Sequence, residues 1–154
     1  MSTASTAQQP SKPRFFAPRR LTHVNLWVGD VEDSANFYRE VAGIGDAYRR
    51  DVIKAIFLTN GNTYHDFALM DVHSSIGKDR EPGTHHIAFE LETEVDLVNG
   101  YNAALAAGHT FEYTMSADVA HSIYKADPDG IDIELYADTF KDWKSRRHGE
   151  VSGI

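Results

Sequence analysis

The sequence has no cysteine, and this absence removes several kinds of chemistry at once. Without a thiol, the chain can form no disulfide, no zinc–thiolate site and no cysteine nucleophile. It also has no apolar run long enough to span a membrane, and residues 1–20 lack the apolar segment of a secretory signal. A chain of this kind suits a reducing cytoplasm, which is the location we expect.

Basic residues are scarce. Lysine and arginine together number 15, against 23 aspartates and glutamates, so the net charge is −8. This balance argues against binding to nucleic acid or to an anionic membrane surface, and it places no restriction on a small substrate. With 154 residues, 42% of them hydrophobic, the chain is expected to form one globular domain. A homodimer is compatible with the sequence, because edge strands offer a route to pairing.

Three short segments each carry one side chain that can bind a metal. They are Leu21–Val28 with His23, Thr84–Leu91 with His86, and Asp129–Tyr136 with Glu134. Each segment has the alternating pattern of a strand with one apolar face. Two imidazoles and one carboxylate on three strands form the ligand set of a facial triad, which leaves open positions for substrate and O2 on a non-haem Fe(II). This set predicts an oxygenase.

Strand alternation places the three candidate ligands on the same side of the predicted sheet. In the first segment three alternate apolar residues form one face, and His23 lies on the other. The same alternation directs His86 and Glu134 into a concave cup, whereas it sends His85 to the helix side. Each ligand alone also has an ordinary interpretation, as a hydrogen-bonded core histidine or a solvated edge charge. Their coincidence favours a metal site.

An internal repeat supports this interpretation, because His23 and His86 begin equivalent strands in the two halves of the chain. Each strand precedes a helix, the first capped by Asp30 and the second by Thr93. Three further strand-like runs follow each helix. The order βαβββ, written twice, predicts an α+β fold in which two modules pair into one open curved sheet or barrel with the helices outside.

The predicted boundaries follow from the same patterns. We expect a disordered tail at residues 1–18, one domain at 19–148 with modules at about 20–72 and 84–138, and a tail at 149–154. The strand-like runs are 46–50, 52–59, 63–72, 110–115, 119–126 and 130–137, and 139–147 is a candidate helix. Asn60-Gly61 predicts a hairpin. The second helix is expected to bury the face that carries Val95, Val98, Tyr101 and Leu105. The linker Val72–Gly83 is long enough for an active-site loop.

The repeat, the two strand-start histidines and the segment Asp127–Tyr136 resemble the vicinal oxygen chelate superfamily over residues 20–140. The superfamily hosts several chemistries, so the resemblance implies a fold before it implies a function. Its glyoxalase-like and epimerase-like members use a fourth metal ligand on the fourth strand, where this chain has Phe67 or Ala68, neither of which binds metal. The triad also separates the chain from metal-free drug-binding members.

Two further segments resemble the extradiol dioxygenases of that superfamily. Tyr64–Leu69 is similar to a fourth-strand segment whose histidine faces the O2 site, which implies that role for His65; alternation puts His65 on the face of Phe67 and Leu69. Ser122-Ile-Tyr124 is similar to a segment with a tyrosine beside the substrate oxygens. The dioxygenases also carry a histidine earlier on this strand, near position 119 here.

His121 is the nearest histidine to that position. Strict alternation puts it opposite Tyr124, so only a bulge would bring it inward as a catalytic or supporting residue. Taken alone, Tyr124 fits an ordinary aromatic residue of the core as well as it fits a substrate-binding residue. His65 likewise fits a solvated hairpin residue as well as it fits a residue of the O2 site. Trp27, Phe67 and Tyr136 are candidates for the pocket wall.

The resemblance implies Fe(II)-dependent extradiol cleavage of a catechol by O2 to a ring-opened semialdehyde. Mn(II) is accepted by the same ligands. The chain's size is similar to that of single-domain extradiol enzymes, among them those that cleave L-DOPA. Charged side chains that would recognise such an amino acid are Arg49, Arg50, Lys78, Asp79 and Arg80. The alternatives are a metal-dependent thiol transferase of the fosfomycin type and a non-catalytic drug-binding protein.

Overall fold

The structure is a computed structural model that describes residues 15–117 and 119–140. Residues 1–14 of the tail predicted at 1–18 lie outside the described residues, as do the tail after residue 148 and residue 141 onward of the predicted C-terminal helix. Residues 15–18 are described, and Phe16 packs against the core. Thr139 and Phe140, the first two residues of that predicted helix, are not helical. In the described part of the chain, no helix is long and apolar enough to cross a membrane.

Both modules have the predicted element order. The first comprises β1 (Arg20–Val28), α1 (Val31–Ala42), β2 (Gly45–Arg50), β3 (Ala55–Thr59) and β4 (Phe67–Asp71). The second comprises β5 (Gly83–Glu90), α2 (Glu94–Ala106), β6 (Tyr113–Ser116), β7 (Ala120–Ala126) and β8 (Asp132–Asp138). The predicted α+β class, with two βαβββ repeats, is therefore confirmed.

The eight described strands form one open mixed sheet in the order β2-β3-β4-β1-β5-β8-β7-β6. The modules join at the centre, where β1 pairs antiparallel with β5. Within each module the first strand pairs parallel with the last, β1 with β4 and β5 with β8. Because of this order β1, β5 and β8, which carry the three candidate ligands, are adjacent.

The helices begin where the sequence predicts. Asp30 accepts hydrogen bonds from the backbone N–H groups of Glu32 and Asp33 at 2.8 and 2.9 Å, and so caps α1. At the other end, Gly43 adopts the left-handed conformation, with φ 68°, that terminates a helix. Thr93 caps α2 by accepting from the backbone N–H of Asp96 at 3.1 Å. These caps are local interactions, which explains why the sequence predicts them.

The predicted buried face of α2 is wrong. Leu97, Gly100 and Ala104 are the buried residues, whereas Val95 and Val98 are 66% and 54% exposed. Leu105 is exposed too, and Tyr101 packs only partly against the core beside Leu97. The helix turns its small residues inward because the chain before β1 packs against it: a Cβ at Gly100 would lie 2.4 Å from Phe16 Cδ1.

Two strands of the first module are shorter than predicted. Residues Asp51–Ile53 form a 3-10 turn, so β3 begins at Ala55. The hairpin between β3 and β4 exists, but it closes through residues 60–66, and the first pair of the ladder is Leu58 with Phe67. Residues 63–66 are therefore loop, and this difference decides which way His65 points.

The sheet has an apolar layer on each side in the first module. Under α1, Ala35 packs with Leu58 and Leu69, and Leu26 and Phe67 adjoin them. On the concave side lies a second cluster of Trp27, Phe57, Ala68 and Met70. The alternation predicted for β1 is confirmed, since Leu26 faces the helix while Trp27 faces the cup.

Candidate metal centre

The three predicted ligands come together on the concave face. His23 on β1, His86 on β5 and Glu134 on β8 are all buried, with relative exposures of 9%, 3% and 5%. Glu134 Oε2 lies 3.1 Å from His23 Nε2 and 3.0 Å from His86 Nε2. The two Nε2 atoms are 3.4 Å apart. One donor atom from each residue thus converges on one point.

These separations suit a divalent cation. With bonds of about 2.1 Å meeting at right angles, three ligands of a facial set lie about 3.0 Å from one another. Two of the three distances equal this value within 0.1 Å, and the third exceeds it by 0.4 Å. Two imidazoles and a carboxylate accept Fe(II) or Mn(II), so the residues fit the ion that the sequence predicts.

Electrostatics around Glu134 favour an ionised ligand. Burial alone would raise the pKa of this carboxyl group, but hydrogen bonds from His23 and His86 outweigh burial and hold its pKa well below the usual range. The carboxylate is therefore charged at neutral pH. A buried negative charge that faces two imidazole nitrogens attracts a cation between them.

Two neighbouring side chains orient the ligands. Ser122 on β7 donates a hydrogen bond from its hydroxyl to Glu134 Oε1 at 2.5 Å, so the carboxylate presents its other oxygen to the site. His85 Nδ1 lies 2.5 Å from His86 Nδ1, the nitrogen that points away from the site. Burial lowers the pKa of His85 to about 4, so its ring is neutral and can accept the Nδ1–H of His86. Such contacts fix the rotation of ligand side chains.

His85 does not lie where alternation predicts. It lines the same cavity as His86, and its ring packs edge-on against Trp27 at 5.0 Å. The reason is a β-bulge: Asn25 pairs with His86, but the next residue of β1, Leu26, pairs with Thr84. His85 is the extra residue, so two consecutive side chains point into the cup. Sequence alternation cannot reveal such a bulge.

The position of a fourth ligand is filled by Ala68. In the second module, Glu134 pairs with Ala88, two residues after His86. The equivalent position in the first module is the residue that pairs with Asn25, because Asn25 comes two residues after His23. That residue is Ala68. Ala68 is fully buried and carries only a methyl group. Of the two residues that the sequence offers for this place, Phe67 and Ala68, the strand register selects Ala68, whose side chain has no atom that binds metal.

A cavity of about 280 Å³ opens from the triad. Its walls include six aromatic side chains, Tyr48, Phe57, Tyr64, Tyr113, Tyr124 and Tyr136. Its size lies near the lower limit of ordinary ligand pockets, which suits a molecule with one ring. Of the candidate wall residues, Tyr136 lines this cavity. Trp27 does not, because it packs in the cluster with Phe57 and Met70, and Phe67 stacks on Tyr38 under α1. The expectations for Trp27 and Phe67 are therefore wrong.

His65 and Tyr124 lie on either side of the ligands. The His65 ring is 4.3 Å from that of His23, and the Tyr124 ring is 5.4 Å from that of His86. The alternation argument for His65 is wrong, however, because Phe67 and Leu69 face the helix. His65 reaches the cup because it belongs to the loop before β4, where strand alternation does not apply.

His121 does not reach the cavity. Its Nδ1 lies 2.6 Å from Glu94 Oε1, and both side chains are about half exposed. Strict alternation is correct on β7, so the bulge that would turn His121 inward is absent there. Among the charged candidates for substrate recognition, Arg50 lines the cavity, and Arg49, Lys78, Asp79 and Arg80 do not.

Sequence reasoning missed several residues of the site. Ser122 shares a face with Tyr124 on β7, so alternation could have found it. Asn25 was visible in the same way, as the residue two positions after His23. His85 had no such signal, because it depends on the bulge.

Comparisons with known proteins agree with this geometry. Residues 20–135 match the Glyoxalase/Bleomycin resistance protein/Dioxygenase superfamily. A biphenyl-2,3-diol 1,2-dioxygenase of Rhodococcus globerulus is 28% identical over 80% of this chain and 65% of its own. A metapyrocatechase of Cupriavidus necator is 30% identical over 79% of this chain and 37% of its own. The chain thus spans less than two thirds of either relative.

A solved structure shows the same fold. A variant of the homoprotocatechuate 2,3-dioxygenase of Brevibacterium fuscum superposes with a TM-score of 0.64 at 22% identity. The match covers 84% of this chain and 36% of that one. At this level of identity the likeness extends to the fold alone.

Proposed function

Because the chain belongs to the Glyoxalase/Bleomycin resistance protein/Dioxygenase superfamily, we propose that it is an extradiol dioxygenase that cleaves a catechol ring beside its two hydroxyl groups. The observation that carries the proposal is the three-ligand site with Ala68 in place of a fourth ligand, open to an aromatic cavity. The names of the two relatives, a diol dioxygenase and a metapyrocatechase, support the same reaction class.

In this proposal His23, His86 and Glu134 hold Fe(II), with Mn(II) as the alternative ion. Bound there, the metal would supply a site for both catechol oxygens and for O2, and it would favour loss of a substrate proton. Ser122 and His85 keep the ligand side chains in place through the hydrogen bonds described above. The aromatic walls hold the ring and exclude water from the reacting atoms.

Tyr124 acts as a hydrogen-bond donor to a substrate oxygen. Burial raises the pKa of its phenol, and the neighbouring charge and hydrogen bond of Glu134 raise it further. The hydroxyl group therefore stays protonated at neutral pH and can donate to a deprotonated catechol oxygen. This role predicts that Tyr124→Phe weakens substrate binding while the metal site is retained.

His65 is the proposed acid–base residue. Its ring lies beside His23 but belongs to a different element, so it can face a reactant without binding the metal. An imidazole nitrogen at this place can give a proton to oxygen and later take one back. His65→Phe would keep the ring volume and remove the proton.

L-DOPA is the specific substrate that we propose to test first. Its single ring suits a cavity of about 280 Å³, and the carboxylate of its side chain would find Arg50 on the cavity wall. Asp138 also lines the cavity, and burial raises its pKa to about 6, so this carboxyl group is mostly ionised at neutral pH.

The decisive experiment mixes Fe(II)-loaded protein with a panel of catechols under anaerobic conditions and then admits O2. We expect one O2 consumed per ring opened and a yellow product. His86→Ala should abolish both signals. His73→Ala is the matched control, because His73 is exposed and pairs with Asp79 outside the cavity. Iron-loaded protein that consumes no O2 with any catechol would rule out the proposal.

A thiol transferase of the fosfomycin type is less well supported. Its phosphonate substrate requires several cations, and Arg50 is the one lysine or arginine that lines the cavity in the described part of the chain. Glu134 and Asp138 line it as well. A non-catalytic binding protein would hold a ligand without O2 uptake, so the same experiment separates it from the dioxygenase.

A further inference from the structure

Two consecutive arginines at the end of β2 have different surroundings. The pleat of the strand turns Arg49 toward α1, where it forms an ion pair with Glu32 and approaches Asp46 at 3.7 Å. Arg50 points the other way, onto the wall of the cavity on the side of Tyr48. The charge of Arg49 is thus neutralised outside the cavity, and that of Arg50 is directed into it.

Arg50 has no carboxylate within 4.0 Å among residues 15–117 and 119–140. Its side chain is partly buried. A guanidinium presents five donors in a planar fork that matches a carboxylate, and partial burial strengthens such a pair because less water screens it. A cation in this state, on a wall made mostly of aromatic and apolar side chains, is complementary to an anionic ligand.

The cavity also separates its charges. In the strand register, Arg50 on β2 lies opposite Ala55 on β3, which lies opposite Met70 on β4. Met70 in turn lies opposite Trp27, near the C-terminal end of β1. Asp138 is the last residue of β8, two residues beyond Tyr136. Tyr136 lies opposite Glu90 on β5, and Glu90 lies opposite Arg20, at the N-terminal end of β1. The cation and the acid therefore occupy opposite ends of the cup, so Asp138 does not neutralise Arg50.

We propose that Arg50 selects catechols that carry a carboxylate on the ring substituent, by pairing with that carboxylate. The inference rests on the proposed function, because it assumes that the diol end of the ligand lies at the triad. The inference extends the proposed substrate from L-DOPA to a class of catechols, because the carboxylate is the group that Arg50 recognises and the amine is not required. A carboxylate without an amine should bind as well as the amino acid.

The test measures binding without turnover. Isothermal titration of the Fe(II)-loaded protein under anaerobic conditions would use four probes: 3,4-dihydroxyphenylpropionate, L-DOPA, 4-ethylcatechol and dopamine. We expect both carboxylates to bind about tenfold or more tightly than the neutral and cationic probes, because a charge-assisted hydrogen bond contributes about that factor. Arg50→Gln should remove this preference, and Arg50→Lys should restore part of it.

Arg49→Gln is the matched control, since it removes an adjacent arginine whose partner lies outside the cavity; it should leave the preference intact. Equal binding of all four probes by the unchanged protein, or a preference that survives Arg50→Gln, would overturn the inference. If circular dichroism shows that Arg50→Gln is unfolded, Arg50→Lys replaces it in the test, and a preference weaker than that of the unchanged protein is the expected result. The subsequent admission of O2 tests the dioxygenase proposal separately, because the charge preference is measured before any ring is opened.

Discussion

The hydrogen bond from Ser122 to Glu134 permits a quantitative test of the metal centre. The Ser122 hydroxyl is buried, donates to Glu134 Oε1 at 2.5 Å and lies on a strand adjacent to the ligand. Ser122→Ala removes the donor and leaves a buried carboxylate oxygen less well solvated. A hydrogen bond to a charged group contributes about 1.5–3 kcal/mol, so metal affinity should fall about tenfold to hundredfold.

The assay is a competitive titration of Fe(II) or Mn(II) against a chromophoric chelator at pH 7. Ser116→Ala is the control, because Ser116 is exposed on β6 and carries no side-chain bond to the site. It should bind metal as the unchanged protein does. If Ser122→Ala also bound metal with unchanged affinity, Glu134 would not depend on this hydrogen bond for its orientation, and the reasoning would be refuted.

Three other substitutions test the packing and the cavity charge. Gly100→Ala should lower the melting temperature, since the new methyl group would overlap Phe16 and overpacking costs about 1–3 kcal/mol; the same change should cost less when it is made in a Phe16→Ala background. Leu97→Ala should cost about 2–5 kcal/mol in chemical denaturation, whereas the exposed Val98→Ala should change stability by about 0.5 kcal/mol or less, and equal costs would contradict the described α2 face. Asp138→Asn should stabilise the protein at pH 7.5 more than at pH 4. The folded pKa of about 6 exceeds the ordinary 3.8, so the aspartate lowers stability as pH rises through this interval. Melting curves at the two pH values check the sign.

Local patterns account for what the sequence predicted well. The caps of both helices, at Asp30 and Thr93, involve residues within one turn of the helix start. The alternation of β1 and β8 depends only on the strand period, so it places His23 and Glu134 in the cup. The repeat then implies that equivalent strands meet, which brings His86 to the same point.

The errors occur where a distant part of the chain decides the outcome. Helical periodicity on α2 allows either an inner face of Leu97 and Ala104 or one of Val95 and Val98, and the chain at Phe16 selects the first. On β4, alternation gave the right location for His65 for the wrong reason, because the strand starts at Phe67. The start of a strand depends on its partner strand.

The sequence by itself determined the repeat, the helix caps, the three candidate ligands and their common face, because each follows from the spacing of residues along one element. Tertiary structure alone decided that Ala68 occupies the fourth-ligand position and that a bulge brings His85 to the side of His86. It also decided that Arg50 faces the cavity with no ion-pair partner among the described residues, whereas Arg49 pairs with Glu32. These features depend on the register between strands and on the packing of α1. Register and packing are set by the whole sheet, which no single segment specifies.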